Sequence, residues 1–279
     1  MYSANVFEDK EMKKRLQQIF DADKSTTDYN AAIMTEFGLS ADKHYDVLVV
    51  APGWTPPKIM ANADVEITCT ASHSYITGYE VKGEGFLMAW IQTSPGACSL
   101  IDELILCAAL DFDKLVFVGA VGSLTKDIGL GSICTPFYSI AGNLANGYLM
   151  EDIREYKPFG KVYPNDPGFV DEVIKMIGEM GHKVWKVPVF CTDSVLCEYA
   201  HMDFIRSFDV SLIEMETSTF YLMADLMEKP AVALLVVSDN SATGESLVLR
   251  TPEQKEVYNR TRFNVVPEIL IDLALKKFP

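Results

Sequence analysis

The sequence predicts an α/β fold, and three observations within one stretch carry that prediction. Residues 210–213, Val-Ser-Leu-Ile, make a short apolar and β-branched run suited to a buried strand. From Phe220 the apolar side chains recur at 220, 223 and 227 and again at 222 and 226, the spacing of a helix face, and Pro230 marks the stop. Residues 231–237 are then apolar throughout, a second buried strand. Strand, helix, strand with both strands wholly apolar is the pattern of a parallel βαβ unit. Each strand runs into acid, Glu214-Met215-Glu216 after the first and Ser238-Asp239-Asn240 after the second. Residues just past the carboxyl ends of parallel strands line the ligand crevice of such sheets, so the two clusters are predicted to share one pocket. The competing reading of Glu216 and Asp239 is helix capping, because backbone amides and the helix dipole favour a carboxylate at a helix start.

Composition bounds the rest. A chain of 279 residues, 49% of them hydrophobic, can bury one large core, and no composition shift marks a linker. One domain over residues 1–279 is expected, with residues 1–45 as an N-terminal extension carrying a helix. The formal net charge of −15 argues against nucleic acid or an anionic membrane as partner, since both select a basic footprint. The start lacks an apolar core of signal-peptide length and no run of about eighteen apolar residues occurs, so a cytoplasmic location is expected. The six cysteines show no C-x-x-C pair and no zinc spacing with His, so they read as reduced core residues and no metal site is predicted.

Taken in order, residues 8–20 have the pattern of an amphipathic helix and residues 21–30 that of a polar loop. Residues 46–51 are the first clear buried strand, ending in Pro52-Gly53-Trp54, where a glycine lets backbone amides approach an anion. Residues 65–70 and 86–92 read as further strands around Thr77-Gly78 and a Lys82–Gly85 turn. Small residues at 94–99 open a helix with free amides at its first turn. Residues 114–118 are a central strand leading into the glycine-rich turn Gly119-Ala120-Val121-Gly122-Ser123. Its G-x-x-G spacing is too short for the dinucleotide fingerprint, so no nicotinamide cofactor is expected. Residues 141–168, rich in Gly, Asn, Asp and Pro, read as a long surface excursion suited to a lid or an oligomer contact. A helix near 169–180, a strand at 184–192 ending in Asp193-Ser194, and a last helix near 252–277 complete the chain.

Glu214-Met215-Glu216-Thr217 resembles the Met-Glu ribose motif, and Val237-Ser238-Asp239 the purine-protonating Ser-Asp motif, of the nucleoside phosphorylases that group purine nucleoside phosphorylase, uridine phosphorylase and methylthioadenosine nucleosidase. The resemblance spans about residues 46–275. It implies a three-layer α/β/α fold whose central mixed sheet is partly curled into a barrel, and phosphorolysis of a purine nucleoside without a cofactor, phosphate being co-substrate. It also implies a homo-oligomer, dimer or hexamer. Asp239 would be the general acid and Arg250 the residue that switches its protonation. Glu216, Met215 and Glu214 would hold the ribose, with Gly122, Asp193, Val195 and Ser238 around the nucleoside. Gly53, Lys58, Gly119, Ala120 and His73 stand at phosphate positions. The chain departs from the family where phosphate binds: the family's Arg and Ser are Phe117 and Ala120 here, and the aromatic that stacks on the base is Val195, with Tyr199 or Phe204 as substitutes. Hydrolysis of the same bond, or nucleoside binding without turnover, are the alternatives this leaves.

Overall fold

The computed structural model describes residues 12–23, 28–73 and 76–278. Among the described residues ten strands form one sheet: β1 (His44–Val50), β2 (Glu66–Ser72), β3 (Thr77–Gly83), β4 (Phe86–Gln92), β5 (Asp111–Ser123), β6 (Ile133–Ala141), β7 (Lys161–Val162), β8 (Val184–Cys191), β9 (Leu212–Glu214) and β10 (Ala231–Asn240). Five of them close a ring. β5 pairs parallel with β10, β10 antiparallel with β6, β6 parallel with β8, β8 parallel with β9, and β9 antiparallel back onto β5. From β5 an open wing continues through β1 and β4, both parallel, to antiparallel β3 and β2. The expected mixed, partly barrel-like sheet is thus present.

The helices are α1 (Met12–Ala22), α2 (Tyr29–Phe37), α3 (Pro56–Ile59), α4 (Ala97–Cys107), α5 (Pro167–Glu179), α6 (Met202–Arg206), α7 (Thr217–Leu226), α8 (Pro252–Arg260) and α9 (Val266–Leu275). Alternation along β1 shows how they are layered. Leu48 and Val50 point into a core shared with α4 and α7, whereas Val47 and Val49 point into one shared with α5 and α9. Each large side chain sealed in these cores, such as Phe220 or Leu270, contributes about 1.5–3 kcal/mol.

Four expectations are corrected. The glycine-rich segment 119–123 is not a turn but the end of β5, because β10 pairs alongside it as far as Asn240 with Ser123, and β9 pairs Ile213 with Gly122. Residues 143–149 are not a surface excursion: Asn143 and Asn146 are fully buried and tie this segment to the start of α7. The polar stretch after α1 already begins α2 at Tyr29, capped by the Asp28 side chain. The last helix breaks at a π-turn over 261–265, where the Val266 amide reaches Thr261 just before Pro267, a residue with no amide hydrogen to give. The expected helix begins at residue 8, and residues 8–11 of it lie outside the described residues.

Candidate active site

Strand ends converge on a cavity of about 240 Å³ at the carboxyl side of β1, β5, β8 and β10. Its wall includes Pro52, Pro95, Phe117, Gly119, Ala120, Gly122, Val195, Glu198, Glu214, Met215, Glu216, Ser238 and Asp239. Both acidic clusters therefore meet in one place, but the expected parallel βαβ unit is corrected: β10 is parallel to β5 and β9 antiparallel to it, so the two strands flank β5 in opposite directions and the closing of the ring brings their ends together.

The three carboxyls of these clusters have different surroundings. Glu214 is buried and accepts four hydrogen bonds: from the amides of Glu216 (2.7 Å) and Thr217 (2.9 Å) on one oxygen, and from the Thr217 hydroxyl (2.8 Å) and the Cys191 thiol (2.8 Å) on the other. It thereby satisfies orphan amides at the start of α7, the work of a cap. Glu216 makes no capping bond and instead accepts the Gly96 amide at 2.6 Å. Gly96 donates from φ 107°, a conformation glycine adopts without strain, so the small-residue turn before α4 offers its free amide to this carboxyl. Burial first, and the charge of Glu214 second, push Glu216 up to about 8. An ionised Glu216, the form the ribose role assumes, is thus disfavoured in the free cavity.

Asp239 lies within β10, and the chain after it turns rather than starting a helix, so capping does not account for it. The tight turn that follows is closed by Asn240, whose side chain accepts the amides of Ala242 and Thr243. A register shift between Val237 and Asp239 leaves Ser238 as a bulge, the device that re-aims a strand side chain. Asp239 then lies over Gly122, where a β-carbon would come within 3.0 Å of its Oδ2. Burial raises its pKa, while the Ser238 hydroxyl at 2.6 Å and the Arg250 guanidinium oppose the rise.

Other sequence candidates divide. Val195, Gly119 and Ala120 line the cavity, and Phe117 fills the wall where the family has arginine, tilted against Phe220 with ring centroids 5.5 Å apart. Arg250 stays near Asp239 but spends its Nε on the Leu247 carbonyl and stacks over Tyr258. It lies before α8 rather than within a helix. Asp193 is turned away from the cavity, its carboxylate held by Asn143 and the Leu144 amide. Gly53, Lys58 and His73 are exposed and off the cavity wall: the Gly53 amide is bonded to the Thr93 carbonyl, and His73 approaches the Thr35 carbonyl from the β2 edge. Tyr199 is exposed and Phe204 belongs to a neighbouring aromatic cluster, so neither stacks in the cavity. Sequence reading missed Glu198. It sits in a short 3-10 turn after β8, where no periodicity or motif marks a carboxyl that is only 8% exposed. The cysteines also differ from expectation: Cys107, Cys134 and Cys191 are buried, but Cys69, Cys98 and Cys197 are exposed.

Among the described residues no helix is long and apolar enough to cross a membrane. One three-donor group, His44, Asp46 and Asp113, is brought together at the opposite, amino end of β1. It is open to solvent, and His44 already pairs there with Asp111.

The family model described as "Phosphorylase superfamily" matches residues 58–268. Among curated relatives, the purine nucleoside phosphorylase DeoD-type of Geobacillus stearothermophilus is 24% identical over 183 residues, 66% of this chain and 72% of that protein. The protein of the same name from Oceanobacillus iheyensis is 26% identical over 189 residues, 65% and 72% of the two chains. Two solved structures share the fold. The 5'-methylthioadenosine/S-adenosyl homocysteine nucleosidase of Campylobacter jejuni gives a TM-score of 0.63 at 16% identity, covering 84% of this chain and 100% of that one. The AMP nucleosidase of Bacteroides thetaiotaomicron gives 0.61 at 19% identity, covering 86% and 96%.

Proposed function

This chain belongs to the phosphorylase superfamily, and from that premise we propose that it cleaves the N-glycosidic bond of a purine nucleoside in the cavity bounded by Glu216 and Asp239. The observation that carries the reading is that these two carboxyls face one cavity while neither is consumed as a helix cap. Breaking the bond leaves positive charge on the sugar and negative charge on the base, so a catalyst holds the sugar hydroxyls and protonates the base. Asp239, raised by burial, is the donor to the imidazole side of the purine. Arg250 stabilises the carboxylate once the proton has left. Glu216 takes the ribose hydroxyls, and in its protonated form it can donate to one while accepting from the other. Met215 packs on the sugar, and Glu214 keeps the start of α7 in register beneath it.

Phosphate is the acceptor in this reading, because the curated relatives are phosphorylases by name. A second reading, with water as acceptor, is favoured by the cavity wall itself. Among the described residues it carries four carboxyls, Glu198, Glu214, Glu216 and Asp239, and no Lys, Arg or His to receive a phosphate dianion. Release of base from inosine and adenosine, measured with and without phosphate, separates the two. Asp239→Asn tests the shared step: turnover is expected to fall about a hundredfold or more, because the amide keeps the shape and cannot deliver the proton. Wild-type turnover in that variant would overturn the reading.

A further inference from the structure

The Met215–Glu216 peptide is one planar unit between the end of β9 and the start of α7, and it is gripped on both edges. Its N–H donates to Glu214 Oε2 at 2.7 Å. Among the described residues no backbone amide outside the regular elements reaches its C=O, which instead accepts the Asn143 side-chain amide at 2.9 Å. An unpaired carbonyl here would be costly, so this bond fixes which way the peptide faces. Glu216 hangs from that peptide, and its carboxyl accepts the Gly96 amide at 2.6 Å.

Asn143 is itself fully buried and is not on the cavity wall. Its Nδ2 faces the Met215 carbonyl, one oxygen of the Asp193 carboxylate at 3.1 Å and, further off, the Thr192 carbonyl at 3.4 Å. All three can only accept, so the nitrogen is the atom turned toward them. Asn143 Oδ1 accepts the Ser218 hydroxyl at 2.8 Å, and Asn146 donates to the same Ser218 oxygen at 3.1 Å. The Tyr156 hydroxyl holds the Asn143 backbone carbonyl at 2.7 Å, and the Leu144 amide takes the other Asp193 oxygen at 3.1 Å. One amide thus joins the segment after β6 to the end of β8, the bend after β9 and the first turn of α7.

Resting on the reading of Glu216 as the ribose holder, we infer that Asn143 is the positioning residue of that carboxyl: by holding the Met215 carbonyl it sets the Met215–Glu216 peptide and with it the reach of Glu216 to the sugar hydroxyls. Asn143 acts through the peptide plane. Turning that plane changes the backbone angles on either side of it, among them the φ of −130° at Glu216, and swings the Met215 and Glu216 side chains. The position calls for an amide, because aspartate offers only acceptors to the Met215 carbonyl and alanine offers nothing to either side.

Asn143→Asp alone would set two carboxylates against each other, so the test combines it with Asp193→Asn, at pH 8. The double variant exchanges donor and acceptor between the two positions, which restores their link while the Met215 carbonyl still faces an oxygen. The Gly96 amide, protected by Glu216 in the free protein, is expected to exchange with solvent about tenfold faster in this variant. The Leu115 amide, bonded to the Pro230 carbonyl, should keep its wild-type rate. KM for inosine is expected to rise about tenfold with kcat held within about twofold, and the preference for inosine over 2'-deoxyinosine to shrink, because a misplaced carboxyl holds the hydroxyls less well. Wild-type exchange at Gly96 would overturn the positioning, and so would equal quickening at Gly96 and Leu115, the mark of a general loosening. An unchanged preference for inosine in Glu216→Gln would overturn the ribose reading instead, and exchange at Gly96 would still decide whether Asn143 places the carboxyl.

Discussion

Glu214→Gln is expected to destabilise the fold much more than a buried charge removal would suggest. The carboxylate of Glu214 serves two donors on each oxygen, at 2.7 to 2.9 Å. Glutamine has the same shape but replaces one acceptor oxygen by an NH₂ group, so whichever way the amide is turned, two buried donors face a donor. If the backbone amides of Glu216 and Thr217 keep the oxygen, the Thr217 hydroxyl and the Cys191 thiol lose it. Each orphaned buried donor costs about 1–3 kcal/mol, and the thiol lies at the weak end, so the substitution should cost about 2–5 kcal/mol. Glu216, pushed up to about 8, is mainly protonated at pH 7 and leaves little repulsion to relieve, so the loss stays at about 2–5 kcal/mol against a typical total of about 5–15 kcal/mol. Guanidinium unfolding of wild type and variant at pH 7, followed by far-UV circular dichroism, reads the difference as a lower midpoint at unchanged slope. A loss under about 1 kcal/mol would refute the reasoning, since it would mean that the four donors do not need the carboxylate.

Two further outcomes follow from the same physics. Glu216, Glu103 and Glu198 are pushed up to about 8, 7 and 7, in each case first by burial, so the folded chain holds protons that the unfolded chain releases near 4.5. Their contribution to stability is present in full below about 4.5 and is lost as pH rises through about 7 to 8. The melting temperature should therefore fall between pH 5.5 and 8.5, by less in Glu216→Gln, and a rise over that range would refute the assignment. Gly78→Ala should cost about 3 kcal/mol, because the added β-carbon would stand 1.9 Å from the Phe37 carbonyl oxygen and force α2 off β3; denaturant unfolding matching wild type would show that the helix end yields freely.

The chain by itself determined much of the fold because the information is local. Apolar runs at 46–51, 114–118 and 231–237 have the composition that only a doubly covered strand requires, and each is buried in β1, β5 and β10. The two acidic clusters were legible for the same reason, since the carboxyl end of a parallel strand is where a pocket forms. What tertiary structure alone decided is which carboxyl does what. Glu214 and Glu216 are indistinguishable as letters; one is taken by the start of α7, and the other accepts an amide 120 positions away, at Gly96, and is raised by burial and the charge of Glu214. Barrel closure is also non-local, because β10 must meet both β5 and β6 to carry the glycine-rich segment on as strand. Gly53, Lys58 and His73 fell off the site because a motif position fixes a residue type but not where its amide or side chain is spent. Glu198 was invisible because nothing near it in the chain explains its burial: its surroundings come from the turn after β8 lining the same cavity as the end of β10, and a side chain's pKa follows from those neighbours rather than from its place in the sequence.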